Sequence, residues 1–240
     1  MVLFDRNTIQ VQDARNVGVF STRVYGWMAI GLAFTSFIAL LLIQTGLYVK
    51  LMPFWWVWAF GTFGVALAIQ RSLVRHSLGT VVGLFLTYAG LEGLMFGTIL
   101  PAFAAAYGGQ VIWAAFASAA TIFAVAMLYG MFTRSDLTSL GRILSMGLIG
   151  LVVVSLISLI LSFFMPITML HVMISWVGLV IFVGLTAYDA QTIRQFSMQA
   201  DVRSVASYKL SMMMALKMYI NVIMIFWYLL QIFSSNQSRR

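Results

Sequence analysis

Cysteine is absent from the chain, proline occurs three times and histidine twice, and only 6 of the 240 residues are acidic. Without cysteine there is no disulfide framework, no thiolate metal site and no cysteine nucleophile. His76 and His171 are far apart in sequence, and with no thiolate to join them a transition-metal site is not expected. The 14 basic and 6 acidic side chains make 20 charges in all, or 8% of the residues, against about 25% in soluble domains. Twenty charges cannot cover the surface of a soluble fold of this size. What fills the space is apolar: 62% of the residues are hydrophobic and mean hydropathy is +0.99. The chain reads as an integral membrane protein.

Seven apolar stretches approach the ~20 helical residues that a bilayer core requires. They cover 25–48, 54–70, 78–100, 110–132, 143–165, 170–188 and 212–233, the second being the shortest. Stop signals separate them: Lys50 with Pro53, Arg71 to His76, Pro101 to Gly109, Arg134 to Arg142, Pro166, and the polar run Gln191 to Lys209. Lipid offers the backbone no partners, so a span is either a helix or a strand of a closed barrel. Barrel strands alternate over about ten residues; these runs are continuous, which predicts an all-α, seven-helix bundle. The expected organisation is a cytoplasmic head at 1–24, a transmembrane domain at 25–233 and a basic tail at 234–240. The head carries Asp5, Arg6, Asp13, Arg15 and Arg23, and no small-residue cleavage site follows the first span, so a cleaved signal peptide is not expected.

The formal charge of +8 is a topology signal before anything else. With the N-terminus inside, Arg6, Arg15, Arg23, Arg71, Arg75, Arg134, Arg142, Arg194, Arg203 and Lys209 all lie on the inner side, ten residues in total. Lys50, Arg239 and Arg240 lie outside, and Lys217 falls within a span. Lipid is the expected partner of this charge, and nucleic acid is not. A plasma-membrane protein of bacterial type with a cytoplasmic N-terminus is the expectation.

Ionisable groups within a span are costly and therefore informative. Glu92 lies about 14 residues, or roughly 21 Å, into the third span. Gly93 and Gly97 beside it form a small-xxx-small pair that allows close helix approach. Glu92 is either a protonated carboxyl in a packed interface or a cation or proton ligand on a wet path. In the seventh span Lys217, Asn221, Met224, Tyr228 and Gln231 recur at helical spacing and share one face. Lys217 can snorkel to the interface, whereas Asn221 is deeper and needs a protein partner. Asp189 closes the sixth span on the inner side, where a pair with Lys217 or Asn221 is geometrically open. No nucleophile–base or metal-ligand constellation occurs, so neither an enzyme nor a bound cofactor is expected. A lysine in the last span and a carboxylate in the third suggest a retinal protein, but Lys217 and Glu92 fall at different depths.

Thr-Ala-Tyr-Asp-Ala-Gln at 186–191 and Ala-Leu-Lys-Met-Tyr-Ile-Asn-Val-Ile-Met-Ile-Phe-Trp-Tyr-Leu-Leu at 215–230 resemble the Bax inhibitor-1 family. The resemblance implies a bundle in which six helices wrap a central seventh, and a pH-sensitive calcium leak. It also implies a latch and pH sensor made by an aspartate ending helix 6 and another in helix 7. Asp189 matches the first position. At the second, the family commonly reads Leu-Tyr-Leu-Asp-Phe-Ile-Asn, and this chain has Met218 to Met224, with Asn221 in place of the aspartate. Two close carboxylates cannot easily ionise together; an Asp–Asn pair lacks that repulsion, so gating is expected at lower pH or not at all. The leading functional expectation is a cation leak, with calcium first because its ligands are oxygens. The alternative is a non-conducting regulator that binds a membrane protease or stress-response partner.

Overall fold

An apolar run in hydrocarbon must close its own backbone hydrogen bonds, and this chain does so with helices. The computed structural model describes residues 6–75, 77–162, 164, 168–199 and 204–237. Among them there is no strand. The helices are α1 (Arg6–Thr45), the short α2 (Tyr48–Leu51), α3 (Trp55–Arg75), α4 (Leu78–Tyr107), α5 (Gly109–Phe132), α6 (Thr138–Leu161), α7 (Thr168–Gln199) and α8 (Val205–Gln237). Asp5, His76, Pro166, Arg203, Arg239 and Arg240 lie outside the described residues.

Six helices are long and apolar enough to cross a membrane: Gly18–Thr45, Leu78–Tyr107, Gly109–Phe132, Thr138–Leu161, Met169–Met198 and Val205–Gln237. Seven such spans were expected. The second falls in α3, whose apolar stretch is the shorter Trp56–Ala66; beyond it Gln70, Arg71 and Arg75 take over the helix.

Several expected boundaries move. α4 does not stop at Pro101 but continues to Tyr107, because a membrane helix tolerates the one hydrogen bond that proline forfeits. It ends where Gly108 adopts φ 85°, a conformation glycine takes without a side-chain clash. α6 begins at Thr138 and α8 at Val205, so polar ends extend each span past its apolar core. Asp189 does not close its helix either. It is ten residues before the end of α7, because neither proline nor glycine interrupts Gln191–Gln199.

The chain packs as two units. Unit 1 comprises 1–101 and 192–219, and unit 2 comprises 102–191 and 220–240. In unit 1 the apolar core includes Phe20, Val24, Val81, Phe85, Ala89, Met212 and Tyr219. Its rings interlock edge to face, Phe85 on Tyr219 at 5.9 Å and Tyr88 on Tyr219 at 5.8 Å between centroids. Gly93 and Gly97 bring α4 against α1: a β-carbon at Gly93 would lie 2.8 Å from the Thr35 carbonyl oxygen. In unit 2, α5 meets α7 where a β-carbon at Gly130 would collide with the Ala187 carbonyl. Gly141 of α6 lies against the Tyr188 ring, and Gly178 of α7 against the Tyr228 ring of α8. Across its most apolar window α8 is 56% buried, whereas α6 is 11% buried and turns most of its surface outward.

Candidate functional site

In unit 2 the site is built on α7 and α8. Asn221 Nδ2 donates to Asp189 Oδ2 at 2.8 Å, and both residues are buried. Further along the same two helices, Ser175 Oγ donates to Gln231 Oε1 at 2.8 Å, and Tyr228 packs on Phe182 with 5.9 Å between ring centroids. Asn221, Tyr228 and Gln231, three members of the helical stripe, therefore all engage α7. Met224 is half-buried and Lys217 is exposed. Of the two residues expected near Asp189, Asn221 makes the bond.

The residues flanking Asp189 are tied to the α5–α6 hairpin. Gln191 Oε1 accepts from the Leu137 amide at 2.9 Å, and Gln191 Nε2 donates to the Ser135 carbonyl at 2.7 Å. Ala187 touches Gly130, and Tyr188 covers Gly141. Positions 187, 188 and 191 thus all meet that hairpin, while Asp189 reaches α8. In the connecting loop, Asp136 Oδ1 accepts from the Thr138 hydroxyl at 2.6 Å and from its amide at 2.9 Å. Both bonds favour the charged form and hold the Asp136 carboxyl below the ordinary aspartate range, the hydroxyl bond contributing most.

Unit 1 holds the other membrane-level carboxyl. Glu92 is buried in α4, one turn after Tyr88 on the same helix. Among the described residues its Oε2 has no hydrogen-bond partner. The Tyr219 hydroxyl of α8 lies within electrostatic reach of the carboxyl and 2.6 Å from Thr35 Oγ1 of α1. Thr35 Oγ1 is itself 2.9 Å from the Ala89 carbonyl and 3.0 Å from the Gly31 carbonyl.

Tyr88, Tyr219, Thr35 and Gln191 are not among the site residues expected from the sequence. Tyr88 could have been found from its i−4 spacing to Glu92, and Gln191 from its place two residues after Asp189. Tyr219 and Thr35 carry no comparable signal, since hydroxyl residues are ordinary in apolar helices. His171 is exposed near the start of α7. Among the described residues no three His, Asp or Glu side chains converge as metal ligands.

A family model described as inhibitor of apoptosis-promoting Bax1 matches residues 17–238. An uncharacterized protein of Chlamydia muridarum is 52% identical over 240 residues, covering all of both chains. The inner membrane protein YbhL of Escherichia coli is 31% identical over 239 residues, covering 98% of this chain and 99% of its own. An uncharacterized protein of Rickettsia prowazekii is 34% identical over 215 residues, covering 88% of this chain and 87% of its own.

Proposed function

The chain belongs to the Bax inhibitor-1 family, and from that premise we propose that it is a pH-modulated cation leak, calcium foremost, latched by Asp189 and Asn221. The observation that carries the proposal is the buried 2.8 Å bond from Asn221 Nδ2 to Asp189 Oδ2, which ties α7 to α8 in unit 2. An amide donates to a carboxylate at any pH. Only protonation of Asp189 weakens such a latch, whereas two aspartates would share a proton and respond over a different range.

Placement follows the same family pattern. α8 serves as the central helix, consistent with its 56% burial. The excess of basic residues, ten against three outside the spans, supports a cytoplasmic N-terminus. The location of YbhL, named as an inner membrane protein, supports a bacterial inner membrane.

Calcium flux into vesicles reconstituted with the pure protein tests this reading across a pH series. We expect the native chain to conduct only at lower pH than Asn221→Asp, and Asp189→Asn to lose the pH response. Superimposable pH profiles for native and Asn221→Asp overturn the altered latch. No flux from any variant, with a membrane protease recovered in a mild-detergent pull-down, favours the non-conducting regulator.

A further inference from the structure

In unit 1 the direction of each hydrogen bond around Glu92 can be assigned. A threonine hydroxyl has one hydrogen, and a carbonyl can only accept. Thr35 Oγ1 lies 2.9 Å from the Ala89 carbonyl and 3.0 Å from the Gly31 carbonyl, so its hydrogen goes to one of them. Were that hydrogen turned to Tyr219 instead, Thr35 would set its lone pairs against both carbonyl oxygens. The 2.6 Å contact between Thr35 and Tyr219 is therefore donated by Tyr219. This leaves the Tyr219 oxygen with lone pairs only. Tyr88 lies one turn before Glu92 on α4, and Glu92 Oε2 is buried without a partner among the described residues.

An ionised Oε2, buried without a partner among the described residues, would carry an uncompensated charge in the interior, and the Tyr219 hydroxyl of the same unit has already given its hydrogen to Thr35. A protonated Oε2 carries no charge and so avoids that cost. We infer that Glu92, flanked by the hydroxyls of Tyr88 and Tyr219, is a proton-binding site of unit 1, separate from the Asp189–Asn221 pair.

The groups facing it are Tyr88 on α4, Tyr219 on α8 and the uncharged Thr35 on α1. From α3, the approach at Gly61 is to Leu91 and is apolar. Among the described residues, no basic side chain is hydrogen-bonded to the carboxyl. Lys50, Arg194 and Lys217 are exposed, and Arg23 stands over the Tyr208 ring at 4.5 Å. Lys209 is ten residues, or roughly 15 Å of helix, from Tyr219.

The inference rests on the membrane reading of the chain and not on calcium conduction. Infrared difference spectroscopy on the full chain in lipid vesicles tests it through the carboxylic-acid carbonyl band. At neutral pH the native protein should show an acid band that disappears in Glu92→Gln. Tyr219→Phe, which removes a hydroxyl within electrostatic reach of the carboxyl, should shift its frequency. Thr35→Val frees the Tyr219 hydrogen to be donated to the carboxylate, and should weaken the band at the same pH. Absence of any band that Glu92→Gln removes overturns the inference, as does a band unmoved in both Tyr219→Phe and Thr35→Val. No flux enters these readouts, so loss of the acid band and failure of the calcium latch are distinguishable.

Discussion

Glu92 in unit 1 and Asp189 in unit 2 are equally secluded, each 5% exposed, yet their surroundings differ in kind. Asp189 receives an amide hydrogen from Asn221, a donor that does not titrate. Glu92 is set among hydroxyls, one of them already committed to Thr35. Burial alone therefore does not assign a carboxyl its chemistry; the hydrogens its neighbours still have to give do so. Their supports differ as well. Beside the close contact at Gly130, two bonds join Gln191 to backbone groups near Asp189, whereas beside the close contact at Gly93 the Tyr88 and Tyr219 rings pack edge to face.

The largest expected effect breaks this contrast at the helix contacts. Gly130→Ala would drive a β-carbon into the Ala187 carbonyl, and Gly93→Ala would press on the Thr35 carbonyl and the Ile38 side chain. Overpacking of this kind costs roughly 1–3 kcal/mol or more, and Gly130→Ala should lower the melting temperature of detergent-solubilised protein further than Gly93→Ala. An equal or smaller drop would mean that the unit 2 contact is the softer one.

A middle-sized effect compares the two buried polar groups. Asn221→Leu removes a buried donation to a carboxylate and should destabilise by about 1–3 kcal/mol, whereas Tyr219→Phe removes one neutral bond worth about 1 kcal/mol. Chemical denaturation of both variants in the same detergent measures the difference. A larger loss for Tyr219→Phe would reverse the ranking of the two sites.

Smallest is the effect at Asp136, which is exposed and lies in the unit 2 loop. Its carboxyl is held low in the folded state, so the stability it contributes is present above the unfolded value of about 3.9 and fades as pH falls through the folded one. Thr138→Val removes the hydroxyl bond that contributes most to this, and should return the Asp136 titration, followed by NMR, toward the ordinary range. An unchanged midpoint would assign the shift to the backbone amide alone.

Much of the helical framework was legible from hydropathy, as were the residues that are costly in lipid. Glu92 and Asn221 stood out because a polar group within an apolar run is unusual. Tyr88, Tyr219 and Thr35 did not, because they pass as ordinary packing until a hydroxyl is seen 2.6 Å from another. That Asp189 does not close its helix has a related reason. Falling hydropathy after Ala190 marks where the lipid-facing surface thins, not where the helix ends, and α7 continues to Gln199. Pro101 misled in the same way, since α4 passes through it. The second expected span is not among the six long apolar helices, for a reason visible in its sequence, a short apolar stretch before Gln70 and Arg71.

Residence in a membrane and the helical solution follow from composition and from the backbone's need for internal partners, both properties of the chain read in one dimension. The spacing of Asn221, Tyr228 and Gln231 on one face is of the same kind. Which donor meets which carboxyl is not. Asn221 and Asp189 are 32 residues apart, and Tyr219 and Thr35 are 184 apart. Those bonds exist only because glycine contacts and interlocking rings set how closely the helices approach, a distance that residue order does not encode locally.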